Sequence, residues 1–106
     1  MDEARARWII TAEKVSEYGG DDGGHLEIVR ELEGTREEVE RALEEAARTV
    51  QVGTFFQERR RQVYGQLDGS YLVRSTGRMG VRRSRVLRAG RLVWDSEGQG
   101  STGDGR

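Results

Sequence analysis

The chain has 106 residues, of which 34% are apolar and 35% charged, and its net charge is −1. This length suits one domain with a modest core, and the high charged fraction favours a thin two-layer fold. The absence of cysteine excludes disulfides, thiolate metal sites and cysteine nucleophiles. No apolar run reaches the roughly 18 residues of a membrane span and residues 1–5 lack a signal-peptide pattern, so we expect a cytoplasmic location and no membrane partner.

The charges are sorted along the chain. Residues 1–54 carry 14 acidic and 7 basic side chains, whereas residues 55–91 carry ten arginines against Glu58 and Asp68. Arginine outnumbers lysine 17 to 1, a ratio that GC-rich bacterial codons produce, but codon usage does not explain the clustering. The basic segment predicts a surface for an anion, a nucleic acid or an acidic partner.

The first two predicted elements are strands joined by a glycine-rich loop. Alternation in residues 8–15 places three apolar side chains on one face of the first strand: Trp8, Ile10 and Ala12. Residues 25–32 alternate in the same way and place three more on one face of the second strand: Leu26, Ile28 and Leu32. Residues 16–24 contain four glycines, which break any regular element.

A helix is predicted after Thr35, because Thr35 and Glu38 have the spacing of a capping box. Apolar residues then recur at helical spacing on one stripe: Val39, Leu43, Ala46, Ala47 and Val50. The opposite face is charged, and Glu44 and Arg48 have the i,i+4 spacing of an ion pair. The helix should end between residues 50 and 53, and Phe55 or Phe56 should fill the core beside its end.

After the helix, period-two alternation predicts an antiparallel meander with strands over residues 61–67, 71–76 and 81–89 and a short closing strand over residues 91–95. Asp68-Gly69 is typical of a hairpin turn in which both central residues have positive φ. Residues 77–80 and 89–90 are predicted as further turns. Neither face of the strand 81–89 is cleanly apolar, which indicates a position near a sheet edge.

The element order is β-β-α-β-β-β, with the closing strand as an optional last element. This order predicts an α+β two-layer sandwich, in which a single helix packs on one face of an antiparallel sheet. We expect one domain over residues 1–95 and a disordered, glycine-rich tail over residues 96–106.

The arginine-rich sheet is the first candidate site. Arginines interleaved with aromatic residues on an open sheet are typical of surfaces that hold phosphates and stack bases. The candidate anion or nucleic-acid contacts are Arg74, Arg82, Arg83, Arg85, Arg88, Tyr64 and Tyr71. Alternatively, these arginines pair with carboxylates of the same chain or of a second copy, an interpretation that the low pI of 5.9 favours over nucleic acid.

The loop before the second strand is the second candidate site. Asp21, Asp22 and His25 could ligate a divalent cation, with Glu27 as a further oxygen donor. Adjacent residues in an extended loop tend to point apart, and the spacing matches no established calcium or zinc pattern. A solvated hairpin loop is therefore the alternative interpretation.

No catalytic signature accompanies the single histidine, and no cofactor motif is present, so we expect neither catalysis nor a cofactor. Three hypotheses of function remain. The first is a small binding or adaptor domain acting through protein contacts or homo-oligomerisation, because the acidic helix and the basic meander are complementary. The second is a nucleic-acid-binding domain that uses the arginine-rich sheet. The third is a small ligand-binding or enzymatic domain with a pocket between helix and sheet.

Overall fold

A computed structural model of the chain describes residues 4–15, 25–53 and 56–97. These described residues form five strands and one α-helix: β1 Ala6–Val15, β2 Leu26–Gly34, α1 Arg36–Thr49, β3 Glu58–Gly65, β4 Tyr71–Gly77 and β5 Arg82–Arg91. The strands form one antiparallel sheet in the order β2-β1-β5-β4-β3, and α1 packs on one of its faces. The predicted α+β two-layer sandwich is confirmed. Within these described residues, no helix combines the length and the apolar character needed to span a membrane.

The core lies between α1 and the sheet. The helix contributes Val39, Ala42, Leu43, Ala46 and Ala47, and the sheet contributes Ile10, Ala12, Val73 and Leu87. The three alanines allow α1 to lie close to the sheet. Phe56 packs beside the end of α1, as predicted for one of the two phenylalanines, whereas Phe55 lies outside the described residues.

Side chains hold both ends of α1. The Thr35 hydroxyl accepts a hydrogen bond from the Glu38 N–H at 3.2 Å, and the Glu38 carboxylate accepts one from the Thr35 N–H at 3.0 Å. The predicted capping box is therefore confirmed. At the other end, the Arg61 guanidinium donates to the carbonyls of Ala47 at 3.2 Å and Val50 at 2.6 Å. These two bonds satisfy carbonyls that the helix itself leaves unpaired.

A β-bulge in β2 changes which of its side chains face the helix. Val29 is an extra residue between the pairs that β2 makes with β1, so the alternation reverses there. Leu32 packs against the core, whereas Leu26 and Ile28 lie on the opposite face and are 60% and 59% exposed. The prediction that these three side chains share one face is wrong, because it assumed an uninterrupted strand.

β5 is the middle strand of the sheet, not a strand near an edge as its mixed faces predicted. It pairs with β1 on one side and with β4 on the other. It also runs through Ala89 and Gly90, where a turn was predicted. The Leu92 N–H still donates to the Arg7 carbonyl at 2.8 Å, so the residues predicted as a closing strand begin as a continuation of β5.

The turn between β3 and β4 differs from the predicted one. Gly69 has a φ of +92°, whereas Asp68 keeps a negative φ. The Gly69 N–H donates to the Gln66 carbonyl at 3.0 Å, and the Asp68 carboxylate accepts from the Ser70 N–H at 3.0 Å. A longer loop with a single left-handed glycine replaces the two-residue turn. The predicted turn over residues 77–80 is a single 3-10 turn, Arg78–Gly80.

Candidate functional site

The strand pairing divides the seven candidate anion contacts between the two faces of the sheet. Tyr71, Arg83 and Arg85 lie on the helix face, the face that carries the core. Tyr64, Arg74, Arg82 and Arg88 lie on the opposite face, which we call the open face. Only the four residues of the open face could contact one strand of nucleic acid together, and for them this contact stays a prediction.

An apolar stripe crosses the open face from one edge of the sheet to the other. One row of cross-strand partners contains Leu26 of β2, Glu13 of β1, Val86 of β5, Leu72 of β4 and Tyr64 of β3. The four apolar members of this row are the apolar stripe. Its two ends are exposed, Leu26 at 60% and Tyr64 at 42%. The charged member, Glu13, pairs with the neighbouring Arg88 at 3.2 Å.

The segment after β5 carries further exposed apolar side chains. Val93 and Trp94 are largely exposed. A pocket of about 480 Å³ lies between this segment and the start of β1, and Ile9, Gly90 and Trp94 are among its lining residues. Tryptophan is one of the residue types enriched among the anchors of protein interfaces, so Trp94 is a candidate anchor.

A cleft on the helix face lies beside the C-terminal end of α1. Its volume is about 450 Å³. Strands β1 and β5, the start of β2 and the segment after α1 provide its lining: Lys14, His25, Glu27, Gln51, Val52, Gly53, Arg83 and Arg85. Three of these side chains are cations and one is a carboxylate. We call this site the cationic cleft, and its cations are Lys14, Arg83 and Arg85.

Arg85 is the buried member of the cationic cleft, with 7% exposure. Its guanidinium donates to the carbonyls of Val52 and Ser84, both at 3.1 Å. Burial lowers the pKa of the Arg85 guanidinium, the charge of Glu27 opposes this effect and the charge of Arg83 adds to it. In the part of the chain that the structure describes, neither Arg83 nor Arg85 forms an ion pair.

The other two cations converge on Arg85 from neighbouring positions. Lys14 is its cross-strand partner on β1, and Arg83 lies two residues before it on β5. The Arg83 guanidinium carbon lies 5.3 Å from the centre of the Phe56 ring, a cation–π contact that orients the side chain. Lys14 was missed at the level of sequence, although the alternation of Trp8, Ile10 and Ala12 already places it next on the helix face.

The predicted metal ligands fall into two groups. His25 lines the cationic cleft, whereas Asp21 and Asp22 lie outside the described residues. Within residues 4–15, 25–53 and 56–97, no group of three histidine, aspartate or glutamate side chains is placed to hold a metal ion. Metal binding by Asp21 and Asp22 stays a prediction.

Other arginines pair within the chain. Ion pairs among the described residues include Arg5–Glu38, Arg36–Glu40, Arg41–Glu37, Arg48–Glu44, Arg61–Glu58 and Arg88–Glu13. Three of these pairs lie along α1, so its outer surface is a mosaic of both signs. The charge complementarity between helix and meander, on which the first hypothesis of function depends, is weakened accordingly. The alternative interpretation of internal pairing is confirmed for Arg88.

Comparisons with family models, curated proteins and solved structures find no match for this chain. The geometry of the chain itself offers two candidate surfaces, the apolar stripe on one face and the cationic cleft on the other.

Proposed function

We propose that the chain is a small binding domain that works as a homodimer, with the open face of one copy packed on the open face of the other. The apolar stripe is the observation that carries this proposal. Single exposed apolar side chains are ordinary on protein surfaces, whereas four apolar side chains in one row across a sheet, interrupted only at Glu13, indicate an interaction surface. Sheet-on-sheet packing is the usual way in which two antiparallel sheets bury such rows.

A second copy fits the stripe because its two exposed ends lie two strands away from the middle strand, β5, on either side. A two-fold axis parallel to β5 between the two sheets maps β2 onto β3 and leaves β5 opposite itself. Leu26 then faces Tyr64 of the other copy, and Val86 faces its own equivalent. Glu13 enters the contact already paired with Arg88, so its charge is compensated.

The size of the open face supports the same occupant. Five strands about 4.8 Å apart, of seven to ten residues each at about 3.4 Å per residue, give a face of roughly 700 Å². A standard interface buries about 800 Å² on each partner. The open face of one copy therefore matches the area that a stable dimer needs.

The sheet edges are less suitable for association than its face. Both edge strands contain a β-bulge, at Val29 in β2 and at Arg59 in β3. Bulges and charged side chains on an edge strand hinder pairing with another chain.

Paired substitutions at the ends of the stripe test the proposal. Leu26→Glu should weaken the dimer at least about 100-fold, because it buries a carboxylate against an apolar ring. Adding Tyr64→Arg to this variant should strengthen its dimer at least about tenfold, since the proposed axis brings positions 26 and 64 together across the interface. Mass is measured by light scattering over a concentration series, starting from a monomer of 12.0 kDa.

Leu67→Glu is the matched control, because Leu67 is fully exposed at the β3–β4 turn and lies outside the stripe. It should leave the dimer unchanged. A wild-type chain that stays monomeric at millimolar concentration contradicts the proposal. A dimer that Leu26→Glu does not weaken contradicts it equally.

A further inference from the structure

We infer that the cationic cleft is a binding site for a small dianion that presents carboxylate or phosphate oxygens. This site lies on the helix face, away from the proposed dimer contact, so the inference does not depend on the proposed function. Nothing in the homodimer requires three cations to meet beside the end of α1.

Uncompensated charge is the first support for this inference. Lys14, Arg83 and Arg85 face one cleft, and among the lining residues that the structure describes Glu27 is the only carboxylate. A buried guanidinium that forms no ion pair is costly to hold, and such a group is a candidate site for a ligand that supplies the missing charge. Arg85 is in this position within the described part of the chain, since its two hydrogen bonds end on carbonyl oxygens and Glu27 acts on it without forming an ion pair.

Arg61, on the same face, is a structural arginine whose hydrogen bonds can be compared with those of Arg85. Its guanidinium binds the Glu58 carboxylate at 2.7 and 3.1 Å and two carbonyls at the end of α1. Its charge and its planar fork are both used. Arg85 instead donates one hydrogen bond to the Val52 carbonyl and one to the Ser84 carbonyl. Its other N–H groups can therefore donate to a ligand.

The spacing of the cations favours a dianion over a single charge. Lys14 and Arg85 are cross-strand partners, with Cβ atoms about 5 Å apart, and Arg83 lies about 7 Å further along β5. A phosphate ester or a dicarboxylate presents oxygens over such a span, and arginine binds both kinds of oxygen through two N–H groups at once. The cleft volume of about 450 Å³ leaves space for the body of the ligand beside His25 and Glu27.

Isothermal titration at constant ionic strength tests the inference, with inorganic phosphate, pyrophosphate, succinate and citrate as separate probes. At least one probe should bind saturably with a Kd below about 1 mM at low salt. The phosphate and carboxylate arms distinguish the two sources of the anionic group. Absence of saturable binding by all four probes overturns the inference.

Three variants locate the binding. Lys14→Gln and Arg83→Gln should each raise the Kd of the tightest-binding probe at least about tenfold, because each removes one cation from the cleft. Arg60→Gln makes the same charge change on the open face and should leave the affinity unchanged. The first two side chains are exposed, so both variants should fold, as far-ultraviolet circular dichroism will verify.

Binding that Lys14→Gln and Arg83→Gln leave unchanged places the anion elsewhere and overturns the inference. The Leu26→Glu variant separates this result from the dimer. It should lose the dimer and keep the anion, because the cleft opens on the opposite side of the sheet.

Discussion

Arg61, Glu58 and Ser75 form a hydrogen-bonded polar cluster on the helix face. The Glu58 carboxylate accepts from Arg61 at 2.7 Å and from the Ser75 hydroxyl at 2.6 Å. Arg61 links this cluster to the end of α1, because its guanidinium also donates to the Ala47 and Val50 carbonyls. Removal of any member leaves a polar partner without its bond in a half-buried site, which is more costly than the bond itself contributes.

This cluster makes stability depend on pH. The hydrogen bond from Arg61 lowers the pKa of the Glu58 carboxyl, burial opposes this effect and Ser75 adds to it. A carboxyl whose pKa is lower in the folded chain stabilises the fold above its unfolded pKa of about 4.3 and loses that contribution as the pH falls through the folded value. We therefore expect the free energy contributed by Glu58 to be complete above about pH 5 and to decline below it.

Urea unfolding of the wild type and of Glu58→Gln between pH 7 and pH 3 measures this effect. The variant should be less stable at pH 7, and the difference between the two chains should shrink as the pH falls. Glu45→Gln, an exposed change on α1, is the control and should give a nearly constant difference. Parallel curves for Glu58→Gln and the wild type would show that the carboxylate does not contribute.

Among the elements, α1 follows most directly from the sequence, because its signals are local. The capping box needs only Thr35 and Glu38, and the buried stripe needs only helical spacing. The inward face of β1 is equally local. Strand order is not, because it depends on pairings between distant parts of the chain, and the central position of β5 was missed for that reason.

The same distinction applies to the candidate sites. Alternation along one strand is enough to place Arg83 and Arg85 on the same face. The cationic cleft itself requires the pairing of Lys14 with Arg85 across β1 and β5, which no local pattern contains. The position of Leu26 on the open face depends on the bulge at Val29, an insertion that simple alternation cannot predict.

The start of α1 offers a test at the scale of one element. Thr35→Ala removes the hydroxyl that accepts the Glu38 N–H and should destabilise the chain by about 1 kcal/mol, measured by urea unfolding. Thr35→Ser keeps the hydroxyl and should lie within about 0.5 kcal/mol of the wild type. Equal losses in the two variants would mean that the methyl group, not the cap, holds the helix start.

At the scale of the whole molecule, the two proposed surfaces lie on opposite sides of one sheet. The dimer would have four layers, with the two sheets in the middle and a helix on each outer side. The cationic cleft opens on the helix side, so each dimer would present two separate anion sites. Dimer formation and anion binding are then independent, and loss of one leaves the other intact.

The distance between the two α1 helices tests the central claim, the face-to-face dimer, most directly. The chain has no cysteine, so Glu45→Cys on the outer surface of α1 gives a single site for a spin label. In the proposed dimer, three layer spacings of about 10 Å separate the axes of the two helices. Double electron–electron resonance should therefore show one label distance above about 30 Å. A distance below about 20 Å, as for helices in direct contact, or the absence of a dipolar signal, would contradict the account.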